Sequence, residues 1–486
     1  MTKLPMAIFA TAALLAVPAA SVGQAQDTRD IGALPGLEDL DEGWNTLKPG
    51  GETVCAHGTE YEFYARAGDP EYVLVYLYGG GACWNAELCQ EGIASYASEI
   101  MPTQHASHLG GILDPDHPEN PFAGYTMVGI PVCTGDVHLG DRDAVYTLED
   151  EDGERTEFTI HHRGLTNTLS AIDWITSNVE SPKKIFVGGG SAGGLGLPFH
   201  ASLLARQYPD AAVAGLGDSA SSYGVDALSA VDSDRWGVPA VLHGYSGWET
   251  VGFTSIAELF VTGGHAAQNL SLYQIDLGRD EIQQSWLWLT TGDPEPDVLR
   301  HIEDNQSAIR AELPRFRRFI LGGAFHVILP NSALFYRSHM DGRSVRDWVT
   351  AIADGAPVTD VECEDCFRTR FVYDEDDLAI MDTTIDLLTE SGWNPEDQGM
   401  PCPERAEALN LRCALVPAVG RVSGSPPFMH AAVLEVVNET AARSDHAPGQ
   451  SSFLRYNNDP DRTVEEVLDM LDEVRERIRR QLNEET

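Results

Sequence analysis

In KKIFVGGGSAGGLGLPFHASLLARQY, Lys183 to Tyr208, a short apolar run meets five glycines around one serine and then becomes a helical pattern. A strand that turns at once into a helix, with a polar side chain at the apex, leaves no room for bulk on either side of it. Gly189-Gly190-Ser191-Ala192-Gly193 is a G-x-S-x-G pattern in that setting. A serine hydroxyl is a weak nucleophile and needs exposure, a neighbouring base and hydrogen-bond donors. The turn supplies the exposure, and a helix opening at Ala192 aims its first N–H groups at the developing charge. A phosphate-binding loop is the competing explanation of the glycines, but no Lys-Ser/Thr follows as a Walker loop requires.

Buried-type strands are predicted at Tyr72–Tyr78, Tyr125–Val132, Lys184–Val187, Ala212–Leu216, Asn269–Ile275 and Arg315–Leu321, with helices at Thr166–Asn178 and Ala192–Gln207 among the intervening stretches. Such alternation predicts an α/β fold of the α/β-hydrolase kind: a mainly parallel sheet covered by helices on both faces. Ser219 to Ala267 is a long excursion rich in Gly, Ser, Trp and Tyr. It is placed to form a lid or pocket wall, and equally to be a passive surface insertion. The expected division is a signal peptide at 1–25, a catalytic domain at 26–366 and a C-terminal extension of unassigned role at 367–486. The extension ends in an amphipathic helix through Val464, Val467, Leu468, Leu471, Val474, Ile478 and Leu482, opened by a Thr463/Glu466 capping box.

Lys3, the apolar run Met6 to Ala20 and the small residues of Gly23-Gln24-Ala25 have the form of a secretory signal cleaved near Ala25, giving a secreted or periplasmic protein. No later segment reads as a membrane span. Eight cysteines in an exported chain read as disulfides. Cys83–Cys89, Cys363–Cys366 and Cys402–Cys413 are local proposals, and Cys55–Cys133 remains by elimination. Zinc at Cys363-Glu364-Asp365-Cys366 lacks a second ligand pair, and no metal or cofactor is expected. The net charge of −43, with four lysines, makes nucleic acid and anionic membranes poor partners. Nothing in the sequence sets the oligomeric state.

A second glycine cluster, YLYGGGACWNAELC from Tyr76 to Cys89, follows an earlier strand. In a nucleophile-elbow fold one oxyanion donor is the N–H after the nucleophile, here Ala192, and the other comes from such a loop, here Gly80 and Gly81. The base follows the acid in chain order. His326, beyond a strand and two glycines in RRFILGGAFHVIL, is the natural choice among fifteen histidines. Asp280 lies after the later strand Asn269–Ile275, where the acid is expected. Asp276 is closer to the strand end and remains a rival; Asp218 is expected to shape the pocket rim. His138 in CTGDVHLGD is either catalytic or a loop-fixing partner of Asp136 or Asp141.

These motifs together resemble the pectin acetylesterase and Notum family of extracellular serine esterases. The resemblance rests on GGGACWNAELC, on IPVCTGDVHLGD at Ile130–Asp141, HHRG at His161–Gly164, GGSAGG at Gly189–Gly194, RDEIQ at Arg279–Gln283 and GAFHVIL at Gly323–Leu329, and runs from Cys55 to Cys366. It implies Ser191 as nucleophile, His326 as base and Asp280 as acid, with Gly80, Gly81 and Ala192 lining the oxyanion hole. Gly81 and Ala82 stand where Notum-like members carry aromatic residues. The expected function is a secreted serine carboxylesterase taking O-acyl groups, acetyl foremost, from a carbohydrate. Its rivals are a hydrolase of long acyl chains on lipid or protein, a serine peptidase, and a binding module on an inactive scaffold.

Overall fold

The computed structural model describes residues 34–93, 95–101, 104–150, 152–229, 231–396, 402, 408–424, 426–444 and 451–484. The signal segment expected at 1–25 lies outside them. Eight strands form one sheet: β1 (Asn45–Leu47), β2 (Phe63–Arg66), β3 (Asp69–Leu77), β4 (Tyr125–Ile130), and, after a separate hairpin of β5 (Arg142–Glu149) and β6 (Arg155–His162), β7 (Lys184–Gly190), β8 (Ala212–Asp218), β9 (Leu270–Leu277) and β10 (Arg317–Leu321). Their order is β1-β2-β4-β3-β7-β8-β9-β10. From β4 to β10 all neighbours run parallel; β2 is the reversed strand, antiparallel to both β4 and the edge strand β1. The mainly parallel sheet expected from the alternation is present, and each of the six predicted strands has its counterpart.

The strands read as unbroken apolar runs because both faces are buried. Val73, Val75 and Leu77 of β3 enter one core while Leu74 and Tyr76 enter another; Ile185 and Val187 of β7 divide from Phe186 in the same way. This is the period of two of a pleated strand, with apolar residues in both phases. The first core is closed by α1 (Gly164–Asn178), α2 (Ala192–Gln207), α3 (Ile256–Ala266) and the later helices α4 (Glu281–Thr291) and α5 (Val298–Glu312). The second runs from the sheet through α6 (Val345–Asp354) into α7 (Glu375–Ser391), α8 (Leu411–Val422), α9 (Ala431–Arg443), α10 (Ser452–Asn457) and α11 (Val464–Glu484). The C-terminal helices therefore share a hydrophobic core with the sheet.

The Thr463/Glu466 capping box forms reciprocally at the start of α11, and Val467, Met470, Leu471, Val474 and Ile478 are its buried stripe. Four disulfides join Cys55 to Cys133, Cys83 to Cys89, Cys363 to Cys366 and Cys402 to Cys413. Among the described residues no helix is long and apolar enough to cross a membrane.

Candidate active site

The polar residues singled out in the sequence gather at the carboxyl ends of adjacent parallel strands, where ligands of open α/β sheets bind. Ser191 follows β7 directly and adopts φ 52°, ψ −121°. That conformation is strained for a residue with a Cβ and holds only where the surroundings impose it. Gly193 shows what imposes it: a Cβ there would stand 2.1 Å from the Leu77 carbonyl oxygen. The turn can pack against β3 only without that atom. Ala192 opens α2, so its N–H is one of the helix-terminal donors with no partner inside the helix.

The loop after β3 carries Gly80 and Gly81. Gly81 has φ +70° and bridges to Tyr96, leaving a Cβ 2.0 Å from the Ser95 carbonyl, so only glycine fits. Gly81, Ser191 and Ala192 line one pocket together. The loop is held by Cys83–Cys89, by the Cys83 N–H to the Gly135 carbonyl (2.9 Å), and by the β5–β6 hairpin, whose Ala144, Tyr146 and Ile160 share a small core with both cysteines. Buried Asp136 accepts from Thr134 Oγ1 (2.7 Å) and the Gly164 N–H (2.8 Å); burial pushes its carboxyl up to about 7 against those bonds.

Asp280 is fully buried and caps α4. Its Oδ1 accepts the N–H groups of Ile282 and Gln283, both at 3.0 Å, and Gln283 Nε2 donates to Oδ2 at 3.1 Å. His326 Nδ1 meets the same Oδ2 at 2.7 Å. Burial alone would depress the imidazole; the Asp280 carboxylate, with Asp218 and Asp276 behind it, outweighs burial and raises it above its ordinary value. His326 Nε2 is buried and takes no hydrogen-bond partner among the described residues, Ser191 included. Bonds between a nucleophile and its base often tighten only with substrate in place.

The two other aspartates do different work. Asp218 does not shape the pocket rim: it is fully buried, its carbonyl accepts the Ser191 N–H (2.8 Å), and its carboxylate accepts the N–H groups of Ile328 (2.8 Å) and Leu329 (2.7 Å). It joins the serine turn to the His326 loop. Asp276 accepts from Ser221, Gln283 and Gln306 and makes no bond to His326. His138 is also a structural residue: its ring bonds Thr168 Oγ1 (3.0 Å) and the Tyr78 carbonyl (2.9 Å), and its tie to Asp136 runs through the backbone N–H, not the imidazole.

The pocket beside Ser191 has an apolar wall that includes Trp84, Val137, Leu195, Trp236, Phe253 and Trp286. Tyr223, Leu228, Val231, Trp236 and Phe253 come from the 219–267 excursion, which thus forms pocket wall. Trp248 points elsewhere, onto Phe199 and Ser202. Sequence reasoning passed over Trp84 and Trp286, whose rings meet at 5.7 Å, tilted by 43°, although they are 202 positions apart in the chain. The one signal for Trp84 was its place inside the second glycine motif. Among the described residues the only cluster of metal-ligand type is Cys83, Cys89 and His162. Its sulfurs are bonded to each other and both His162 nitrogens are engaged, by Tyr146 Oη and the Thr134 carbonyl, so it offers no free donor set.

Residues 46–227 match the model of the family described as Pectinacetylesterase, and residues 372–477 match that of a family of unknown function, DUF6197. No curated protein matches the chain. The first match spans the second glycine loop and Ser191 and stops before Asp280 and His326.

Proposed function

We propose that this protein, pectinacetylesterase-like over residues 46–227, is an exported serine carboxylesterase that removes O-acyl groups, acetyl foremost, from a carbohydrate. The observation that carries the reading is the 2.7 Å bond from His326 Nδ1 to buried Asp280, on loops bound to the strained Ser191 turn. Ser191 Oγ attacks the ester carbonyl and gives its proton to His326 Nε2. The N–H groups of Ala192 and of the Gly80–Gly81 loop take the charge that develops on the carbonyl oxygen. His326 returns the proton to the departing sugar hydroxyl, leaving an acyl-enzyme. Water, deprotonated by the same imidazole, then releases the acid and restores Ser191.

The apolar, aromatic wall favours a second reading, a hydrolase of longer acyl chains. Rates on p-nitrophenyl esters from acetate to palmitate separate the two, followed by acetylated polysaccharides. Acetate and butyrate should exceed palmitate by at least roughly tenfold in kcat/KM, about 1.4 kcal/mol of discrimination. A preference for palmitate would move the assignment to the second reading.

A further inference from the structure

The acid and the base sit on two loops, after β9 and after β10, and the bond between them is only as well placed as those loops. Backbone bonds join the loops to each other: the Gly278 N–H to the Leu321 carbonyl (2.8 Å), Arg279 to Gly323 (3.1 Å) and Glu281 to Ala324 (3.3 Å). Outside them lies chain from beyond residue 362. The Gly323 N–H donates to the Cys366 carbonyl at 3.1 Å, Thr369 Oγ1 donates to the Gly322 carbonyl, and Phe325, next to His326, packs edge-on against Phe371. Arg368 in this strap pairs at 3.0 Å with Glu439 of α9, a buried carboxylate that Arg443 and Arg477 also hold.

Glu281 is the junction. It follows Asp280 directly and opens α4, its N–H bonds the base loop, and its carboxylate reaches the C-terminal helices. There it accepts the N–H of Ser452, at 3.2 and 3.1 Å to its two oxygens, and the Ser452 hydroxyl. A largely buried carboxylate without donors would be costly to hold ionised. Ser452 supplies both donors, with Arg455 adding favourable charge. The first turn of α4 is thereby held by the C-terminal segment as well as by the base loop.

We propose that the C-terminal segment is a positioning module for the Asp280–His326 pair, with Ser452 on Glu281 as its latch. This rests on the esterase reading above, and it gives residues 372–477, matched only to a family of unknown function, a role in turnover. Misplacing catalytic groups by about an ångström can cost up to roughly a hundredfold in rate. Loss of one of the two latch donors is expected to cost less.

The test is steady-state hydrolysis of p-nitrophenyl acetate by the full chain and its variants, with melting temperatures measured alongside. Ser452→Ala should lower kcat about tenfold with KM within about twofold of the parent, and Ser452→Thr, which keeps the hydroxyl, should restore it. Val474→Ala, in the buried stripe of α11 away from the latch, should lower the melting temperature and leave kcat near the parent value well below the melt. Parental kcat in Ser452→Ala overturns the proposal, and so does an equal fall of kcat in Val474→Ala. If Ser452→Ala does not fold, Glu281→Ala carries the same test from the other side, because it removes the acceptor of both Ser452 donors. A Ser191→Ala protein that still turns over would instead overturn the esterase reading, so the two failures are told apart.

Discussion

Asp280→Asn is the sharpest probe of the acid assignment, because the structure says what each atom of the new amide would meet. Asn Oδ1 keeps the cap on the Ile282 and Gln283 N–H groups. The Nδ2 group takes the place of Oδ2 and so faces two donors, His326 Nδ1–H and Gln283 Nε2. The imidazole escapes by changing tautomer, so that Nδ1 accepts and Nε2 carries the proton. Nε2 can then no longer take the proton of Ser191. A wrong tautomer of this kind costs roughly 10⁴ in kcat, which is about 5.5 kcal/mol of activation free energy. Folding should survive: the Gln283 donor left facing another donor costs about 1–3 kcal/mol, against roughly 5–15 kcal/mol of net stability for a typical domain. Asp276→Asn, which leaves the His326 bond intact, should retain far more activity. Asp218→Asn should fall between, since it loosens the Ile328 and Leu329 bonds and displaces the base without changing its tautomer. The assay is p-nitrophenyl acetate turnover on variants matched by circular dichroism. If Asp280→Asn keeps most of its turnover while Asp276→Asn or Asp218→Asn collapses, the acid assignment is wrong.

Ser191→Ala should reduce kcat on the order of 10⁶-fold with the fold retained, and a serine-directed phosphonate should label the parent at Ser191 and not the variant; labelling elsewhere would move the nucleophile. His326 must be neutral at Nε2 to take a proton, so kcat/KM should fall as pH drops through its pKa. Because Asp280 raises that pKa, the acid limb should have its midpoint above the ordinary value of about 6.5; a midpoint well below it would contradict the geometry. Alkylation of the natively exported protein, read by mass spectrometry, should find no free thiol before reduction and eight after it, from the four disulfides; eight free thiols at the outset would remove them.

The parallel strands were legible because strands buried on both faces read as plain apolar runs, and the serine turn because its steric demands fall within five consecutive residues. The hairpin of β5 and β6 was also written in the chain, in the alternation of RDAVYTLE and RTEFTIHH. It was passed over because it follows a period of two outside the main sheet. The pocket wall was less accessible to local reasoning. Trp84, Trp236 and Trp286 come from three distant segments and meet only after the sheet is assembled. Asp218 was placed near the site correctly and given the wrong task, since the end of a strand says where a carboxylate starts and not which loop it binds.

That task follows from sheet geometry. The second glycine loop, Ser191, Asp218, Asp280 and His326 stand after β3, β7, β8, β9 and β10, which are consecutive neighbours. Strands in a sheet lie about 4.8 Å apart, so the ends of β7 and β10 are separated by three such spacings, roughly 14 Å. An imidazole following β10 straight out of the sheet could not serve a hydroxyl following β7. The chain after β10 must fold back across the ends of β9 and β8. Its first crossing is marked by the bond to Asp280 beyond β9, and its second by the Ile328 and Leu329 N–H groups on the Asp218 carboxylate at the end of β8. Ser219 Oγ, accepting the Val327 N–H at 3.0 Å, adds a third bond at that crossing. Val327 pays for the tight return with φ 66°, an uncommon conformation for a β-branched residue. A buried carboxylate pushed up to about 6 by its burial is therefore held at the strand end next to the nucleophile's own, where it brings the base loop back over the sheet toward the serine.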